Sequence, residues 1–292
     1  MNRIAGSLIL ATLCSPVSAA PPAEANEQND VQPSQPITHN IRSKYLGGAE
    51  TTIYVMLPKS FDSARRYKVL YILPVINGET SGGPRWGKPL DVAAEHRFAD
   101  KYDAICVMAT FDRGTLYVNH PTQKDMQHED YFVKEVVPFI DTHYPTLAEP
   151  RGRLLTGFCG SGNGAMWLLL RHLDKFGKAA VWETWLDMQK MHPPDKKQLG
   201  SEETFQEYCV MNLVDKHAAR LKGGPTRIVM MSYRNQRDGH FSVNRFHDKL
   251  FDHGIPHVFE FHAQEQHRWD SGWLPRAVGY LFLEDLPEGT GE

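Results

Sequence analysis

Cys159 stands in the strongest chemical signal of the chain. The run Leu154-Leu155-Thr156-Gly157-Phe158-Cys159-Gly160-Ser161-Gly162-Asn163-Gly164-Ala165 ends an apolar strand, concentrates glycines in a turn and starts an apolar helix at once. A strand–turn–helix of this kind forces one side chain into an exposed position above a sheet. That is the geometry of a nucleophile elbow, whose pattern is G-x-S-x-G. Here cysteine occupies the apex where the pattern has serine, and Ser161 replaces the second glycine. A sulfur at that apex is a competent nucleophile if an imidazole lies beside it. The rival reading is that a small residue merely fits the turn and catalysis is lost. Ser161 falls in the first turn of the helix and is expected to point elsewhere.

Nucleophilic acyl chemistry also needs a base, a group that orients the base, and donors for an oxyanion. On scaffolds that carry this elbow the chain order is nucleophile, acid, histidine. After Cys159, an expected strand over Arg227–Ser232 runs into the polar stretch Tyr233-Arg234-Asn235-Gln236-Arg237-Asp238-Gly239-His240, which makes Asp238 the candidate acid. After the next strand comes Gln264-Glu265-Gln266-His267-Arg268-Trp269-Asp270, which makes His267 the candidate base and Asp270 a weaker substitute for the acid. The chain has 14 histidines, and a place between a strand and the final helix singles out this one. His240, His247, His253, His257 and His262 fit no zinc spacing, so no metal and no cofactor are expected. Trp182, Trp185, Trp269 and Trp273 have two readings, the lining of an apolar or sugar-binding cleft and ordinary packing.

The elements that must position these groups are legible as apolar runs. Thr51–Leu57, Tyr67–Leu73, Ala104–Thr110, Arg153–Phe158, Ala179–Trp182, Arg227–Ser232 and His257–Phe261 read as strands. Helical spacing marks Glu129–Tyr144, with Pro138 expected to bend or interrupt it, and helices are also expected over Ala165–His172, Val243–Asp252 and Leu274–Phe282. The alternation predicts an α/β domain over residues 37–292, with a mostly parallel sheet covered by helices on both faces. The more polar stretch Leu186–Leu221 reads either as a cap beside the site or as a peripheral helical pair.

Composition excludes some partners. A net charge of −3 gives no electrostatic reason to expect nucleic acid. Arg3, the apolar stretch Ile4–Leu13 and the small residues Val17-Ser18-Ala19 predict a secretory signal over residues 1–19, and hence a secreted or periplasmic protein. Residues 20–36 are rich in Pro, Ala, Glu, Gln and Asn and read as a disordered leader. No later run is long and apolar enough to span a bilayer. Cleavage leaves Cys106, Cys159 and Cys209, an odd number that leaves at least one free thiol or an intermolecular bridge; Cys106 sits in an apolar run as a core thiol.

From about Thr52 to the C-terminus the chain resembles the Putative esterase family of α/β-hydrolases, which includes S-formylglutathione hydrolases, feruloyl esterases and mycolyltransferases. The resemblance rests on Tyr54-Val55-Met56-Leu57-Pro58, Tyr67-Lys68-Val69-Leu70-Tyr71-Ile72-Leu73, Val136-Val137-Pro138-Phe139-Ile140-Asp141, the elbow, Leu170-Arg171-His172-Leu173-Asp174-Lys175-Phe176-Gly177 and His267-Arg268-Trp269 with Trp273. It implies an α/β-hydrolase fold and cleavage of an ester or thioester on a small-molecule or carbohydrate-linked substrate. Carried over, Cys159 takes the nucleophile position, His267 the base position and Asp238 the acid position. The Gly160 N–H would be one oxyanion donor. The other would come from Pro74-Val75-Ile76, where Pro74 has no N–H to give and Val75 or Ile76 remains. The alternative is an inactive relative whose cleft binds a carbohydrate or lipid-like ligand without cleaving it.

Overall fold

Along the central strands, successive side chains enter two different cores. Val69 and Tyr71 pack into one and Leu70 and Ile72 into the other, as do Ile105 and Val107 against Cys106 and Met108. Period-two alternation puts neighbours on opposite faces of a sheet, so a strand apolar throughout must be covered on both sides. The computed structural model describes residues 35–75, 86–111, 117–188, 197, 199–233, 237–262 and 266–284, without the side chains of residues 233, 237–241 and 262. The expected signal over residues 1–19 and nearly all of the leader over 20–36 lie outside the described residues.

The strands are β1 (Ile37–Ser43), β2 (Ala49–Met56), β3 (Lys68–Ile72), β4 (Ala104–Ala109), β5 (Arg153–Phe158), β6 (Lys178–Trp182), β7 (Ile228–Tyr233) and β8 (His257–His262). They form one eight-stranded sheet in the order β1-β2-β4-β3-β5-β6-β7-β8. β1 and β2 pair antiparallel, β2 pairs antiparallel with β4, and every later pairing is parallel. The mostly parallel sheet expected from the sequence is therefore present, with an antiparallel edge whose first strand is largely exposed.

Helices α1 (Pro89–Glu95), α2 (Phe98–Lys101), α3 (His128–Tyr131), α4 (Val137–His143), α5 (Cys159–Arg171), α6 (Glu202–Tyr208), α7 (Val210–Leu221), α8 (Arg237–Asp252) and α9 (Trp273–Phe282) connect the strands. α3, α4, α5 and α7 supply Tyr131, Ile140, Leu169 and Leu213 to one core. α1, α2 and α9 supply Leu90, Phe98 and Trp273 to the other. Between α3 and α4 the chain makes a π-helical turn over Phe132–Val136, which ends two residues before Pro138. Proline offers no N–H to the preceding turn, and the α-helical hydrogen-bond pattern expected over Glu129–Tyr144 is interrupted there. The Leu186–Leu221 stretch contains the pair α6–α7, and α7 packs on α5. Glu129 ties α6 down. It accepts from Arg171 Nε at 2.8 Å, His172 Nε2 at 2.7 Å and the Tyr208 hydroxyl. Burial alone would raise its pKa, but these donors outweigh burial and hold it at about 2.

Candidate active site

The elbow forms as its sequence requires. β5 ends at Phe158, Cys159 takes φ 52°, and α5 begins there. A side chain on Gly157 would meet Ser161, its carbonyl at 2.6 Å and its Oγ at 2.8 Å, so only glycine lets the turn close. Ser161 is fully buried. Its hydroxyl donates to the Phe158 carbonyl at 2.9 Å and accepts from the Phe158 N–H at 3.2 Å. The serine that replaces the second glycine thus fastens the elbow from inside, and it is turned away from any substrate.

His267 lies over Cys159 at the C-terminal ends of the strands. Its imidazole hydrogen-bonds the Cys159 sulfur, and its Nδ1 donates to Glu183 Oε2 at 2.5 Å. The ring rests edge-on against Phe158, centroids 4.9 Å apart. Burial by itself lowers the pKa of this imidazole. The hydrogen bonds to Cys159 and Glu183, together with the electrostatic influence of these two groups, outweigh burial and raise it from 6.5 to about 9. A raised folded-state value favours the folded protein fully below pH 6.5, and the contribution disappears as pH rises through about 9. NMR titration of the His267 ring should accordingly find its midpoint near pH 9. The midpoint should move down in Cys159→Ala, which removes one of the two supports, and a midpoint unchanged in that variant would contradict the contact.

The carboxylate on Nδ1 is Glu183, a residue not singled out in the sequence, where Asp238 is the expected acid. Asp238 falls in the first turn of α8, where its side chain lies outside the described residues. Asp270 is engaged elsewhere, by Arg268 through two bonds of 2.6 Å. Glu183 follows directly on β6 and is buried, with φ 48°. Among the described residues only Arg97, Asp103, Cys159 and Glu183 combine a side chain with positive φ, so both partners of His267 stand on strained backbone. What holds Glu183 comes from the elbow helix. Asn163 accepts from the Thr184 hydroxyl and donates from Nδ2 to the Trp185 carbonyl at 3.0 Å. A side chain on Gly162 would come within 2.8 Å of Thr184 Cβ. The helix that carries Cys159 is thus fastened to the loop that carries Glu183. The sequence did hold a signal for Glu183: a carboxylate directly after the apolar strand Ala179–Trp182, in the order nucleophile, acid, histidine.

The loop after β3 runs beside the elbow, because the Leu73 N–H continues the ladder to the Thr156 carbonyl at 2.9 Å. Val75 is described and buried; Ile76 lies outside the described residues. The Gly160 N–H is in the first turn of α5, where backbone donors have no intrahelical acceptor. Three of the tryptophans are packing residues: Trp182, Trp269 and Trp273 are buried, and Trp182 and Trp269 enclose Phe158 under His267. Trp185 is 43% exposed, two residues past Glu183. Cys106, Cys159 and Cys209 are free thiols, and burial pushes that of Cys106 up to about 12. Among the described residues no cluster of three or more His, Cys, Asp or Glu is placed to hold a metal, and no helix is long and apolar enough to cross a membrane.

A mixed sheet in this strand order, with a sharp elbow between β5 and the helix after it, defines an α/β-hydrolase. Residues 43–230 match the Putative esterase family, and the chain belongs to that family. The matched region contains Cys159 and Glu183. Solved structures share the fold. A ferulic acid esterase superposes with TM-score 0.65 at 19% identity, covering 85% of this chain and 98% of its own. An S-formylglutathione hydrolase from Staphylococcus aureus gives 0.67 at 19%, covering 85% and 98%. A ferulic acid esterase from Anaeromyces mucronatus, in complex with ferulic acid, gives 0.55 at 15%, covering 91% and 94%. No curated protein sequence matches the chain.

Proposed function

We propose that this protein cleaves a carboxylic ester or thioester through an acyl-enzyme formed on Cys159. One observation carries the reading: a single imidazole, His267, bonds both the Cys159 sulfur and the buried Glu183 carboxylate. In this mechanism the sulfur, its proton taken by His267, adds to the substrate carbonyl. The oxygen that becomes negative is held by backbone N–H groups of Gly160 and Val75. The tetrahedral intermediate collapses, and the leaving alcohol or thiol departs with the proton from His267. Water then adds to the thioester, giving its proton to His267, and the acid is released as sulfur recovers its original state. Glu183 keeps Nδ1–H in place and balances the imidazolium. The membership in an esterase family supports the class of reaction, and the apolar stretch Ile4–Leu13 of the expected signal supports a place outside the cytoplasm.

The competing reading, a cleft that binds without cleaving, rests on the lost serine and on Pro74. Cys159→Ser separates the two. If cysteine is the native nucleophile, hydrolysis of p-nitrophenyl acetate should fall in the serine variant, since a neutral alcohol is a weaker nucleophile than a thiol beside the same base. Activity present only in Cys159→Ser would establish a native binding protein.

A further inference from the structure

Tyr117 lies between the elbow helix and the loop after β3, and it touches both. Its ring sits against Gly164 so closely that a Cβ there would be 2.2 Å from Tyr117 Cδ2. Gly164, five residues past Cys159, therefore keeps a space that the tyrosine ring fills. The ring is held edge-on by Phe111, centroids 4.9 Å apart, and by Phe132, at 5.9 Å. Its hydroxyl, buried in this aromatic nest, donates to the Pro74 carbonyl at 3.1 Å.

The Pro74 carbonyl and the Val75 N–H belong to one peptide unit. In a trans peptide these two groups point in opposite directions. None of the described peptide bonds is cis. A bond that draws the Pro74 oxygen down to Tyr117 therefore turns the Val75 N–H away from the aromatic nest. This N–H donates to no group among the described residues. The loop lies beside the elbow through the Leu73–Thr156 bond, and Pro74 itself contributes no donor. A proline at this position leaves the orientation of the next peptide as the means of supplying an N–H to the site.

We propose that Tyr117 is a positioning residue: its hydroxyl fixes the Pro74–Val75 peptide so that the Val75 N–H is the second oxyanion donor. This rests on the acyl-enzyme reading above. A donor fixed in advance matters when charge develops on the carbonyl oxygen and little before, so its loss should appear in kcat and not in KM.

Tyr117→Phe removes the hydroxyl and keeps the ring. Two reagents then separate oxyanion support from general damage. Iodoacetamide alkylates sulfur by displacing iodide and forms no oxyanion. Butanal adds reversibly to the Cys159 sulfur: the C–S bond forms, the carbonyl pair moves to oxygen, and that oxygen occupies the oxyanion site. In Tyr117→Phe, kcat for p-nitrophenyl acetate should fall roughly tenfold with KM within about twofold, and butanal should inhibit roughly tenfold more weakly. Alkylation of Cys159 by iodoacetamide should keep its wild-type rate. Butanal inhibition equal to wild type would overturn the role of Tyr117 alone, as would an equal slowing of alkylation and hydrolysis accompanied by a lower Tm. A wild-type protein whose Cys159 forms no adduct with butanal would overturn the cysteine mechanism and this proposal together.

Discussion

Cys159→Ala is expected to reduce kcat for p-nitrophenyl acetate on the order of 10⁵-fold or more, leaving only a small residual acceleration over the uncatalysed rate. Removing a covalent nucleophile eliminates the pathway and leaves only binding and oxyanion support. The fold should tolerate the change. Cys159 is half-buried at the head of α5, and the elbow is fastened by Gly157 and Ser161, which the substitution leaves in place. Circular dichroism and Tm close to wild type would show that the loss is chemical. Residual turnover within roughly tenfold of wild type would remove Cys159 from the mechanism.

Glu183→Gln is expected to reduce kcat roughly 10³-fold, while Asp238→Asn leaves it within about twofold. A carboxylate on Nδ1 fixes the tautomer that presents Nε2 to the nucleophile and balances the charge of the imidazolium; an amide does neither reliably. A nucleophile intrinsically better than serine should make the loss somewhat smaller than in a serine triad. The same substitution removes one of the two interactions that raise the pKa of His267, so its titration midpoint should fall from about 9 toward 6.5. Glu183 is buried and its Oε1 has no partner among the described residues, so the imidazole is its principal stabilising contact there. His267→Ala should for that reason destabilise the protein, and adding Glu183→Gln should recover part of the loss. A loss of activity in Asp238→Asn larger than in Glu183→Gln would return the acid to the strand end where the sequence first placed it.

How far the sequence reaches depends on whether a feature is local. The strands over 68–72, 104–109 and 153–158 were legible because each is an apolar run short enough for a buried strand and bounded by polar or turn residues. The elbow was legible because its steric demands fall within one turn, as the contact between Gly157 and Ser161 illustrates. Chain order singled out His267 as the candidate base, but it did not single out Glu183. Two strand ends after Cys159 are followed by carboxylates, Glu183 and Asp238, and chain order alone does not choose between them. Glu183, at the end of the strand directly beside β5, is the carboxylate that reaches Nδ1, at 2.5 Å. That spatial order is a property of the assembled sheet. Ser161 taught a similar lesson: read alone it was a departure from the pattern, and in place it is the hydrogen-bond partner of both polar groups of Phe158. β1 gave a weak signal because an exposed edge strand, with His39, Asn40 and Arg42 among its seven residues, lacks the apolar run of a buried one.

Acid quench of the protein during turnover of p-nitrophenyl acetate, followed by intact mass and fragment-ion analysis, tests the central claim most directly. The account predicts a gain of one acetyl group, located by fragment ions on the Cys159 sulfur and removed by neutral hydroxylamine, as a thioester should be. An acetyl group found on Ser161 or on any other residue, or steady turnover with no acyl group captured on the Cys159 peptide, would contradict it.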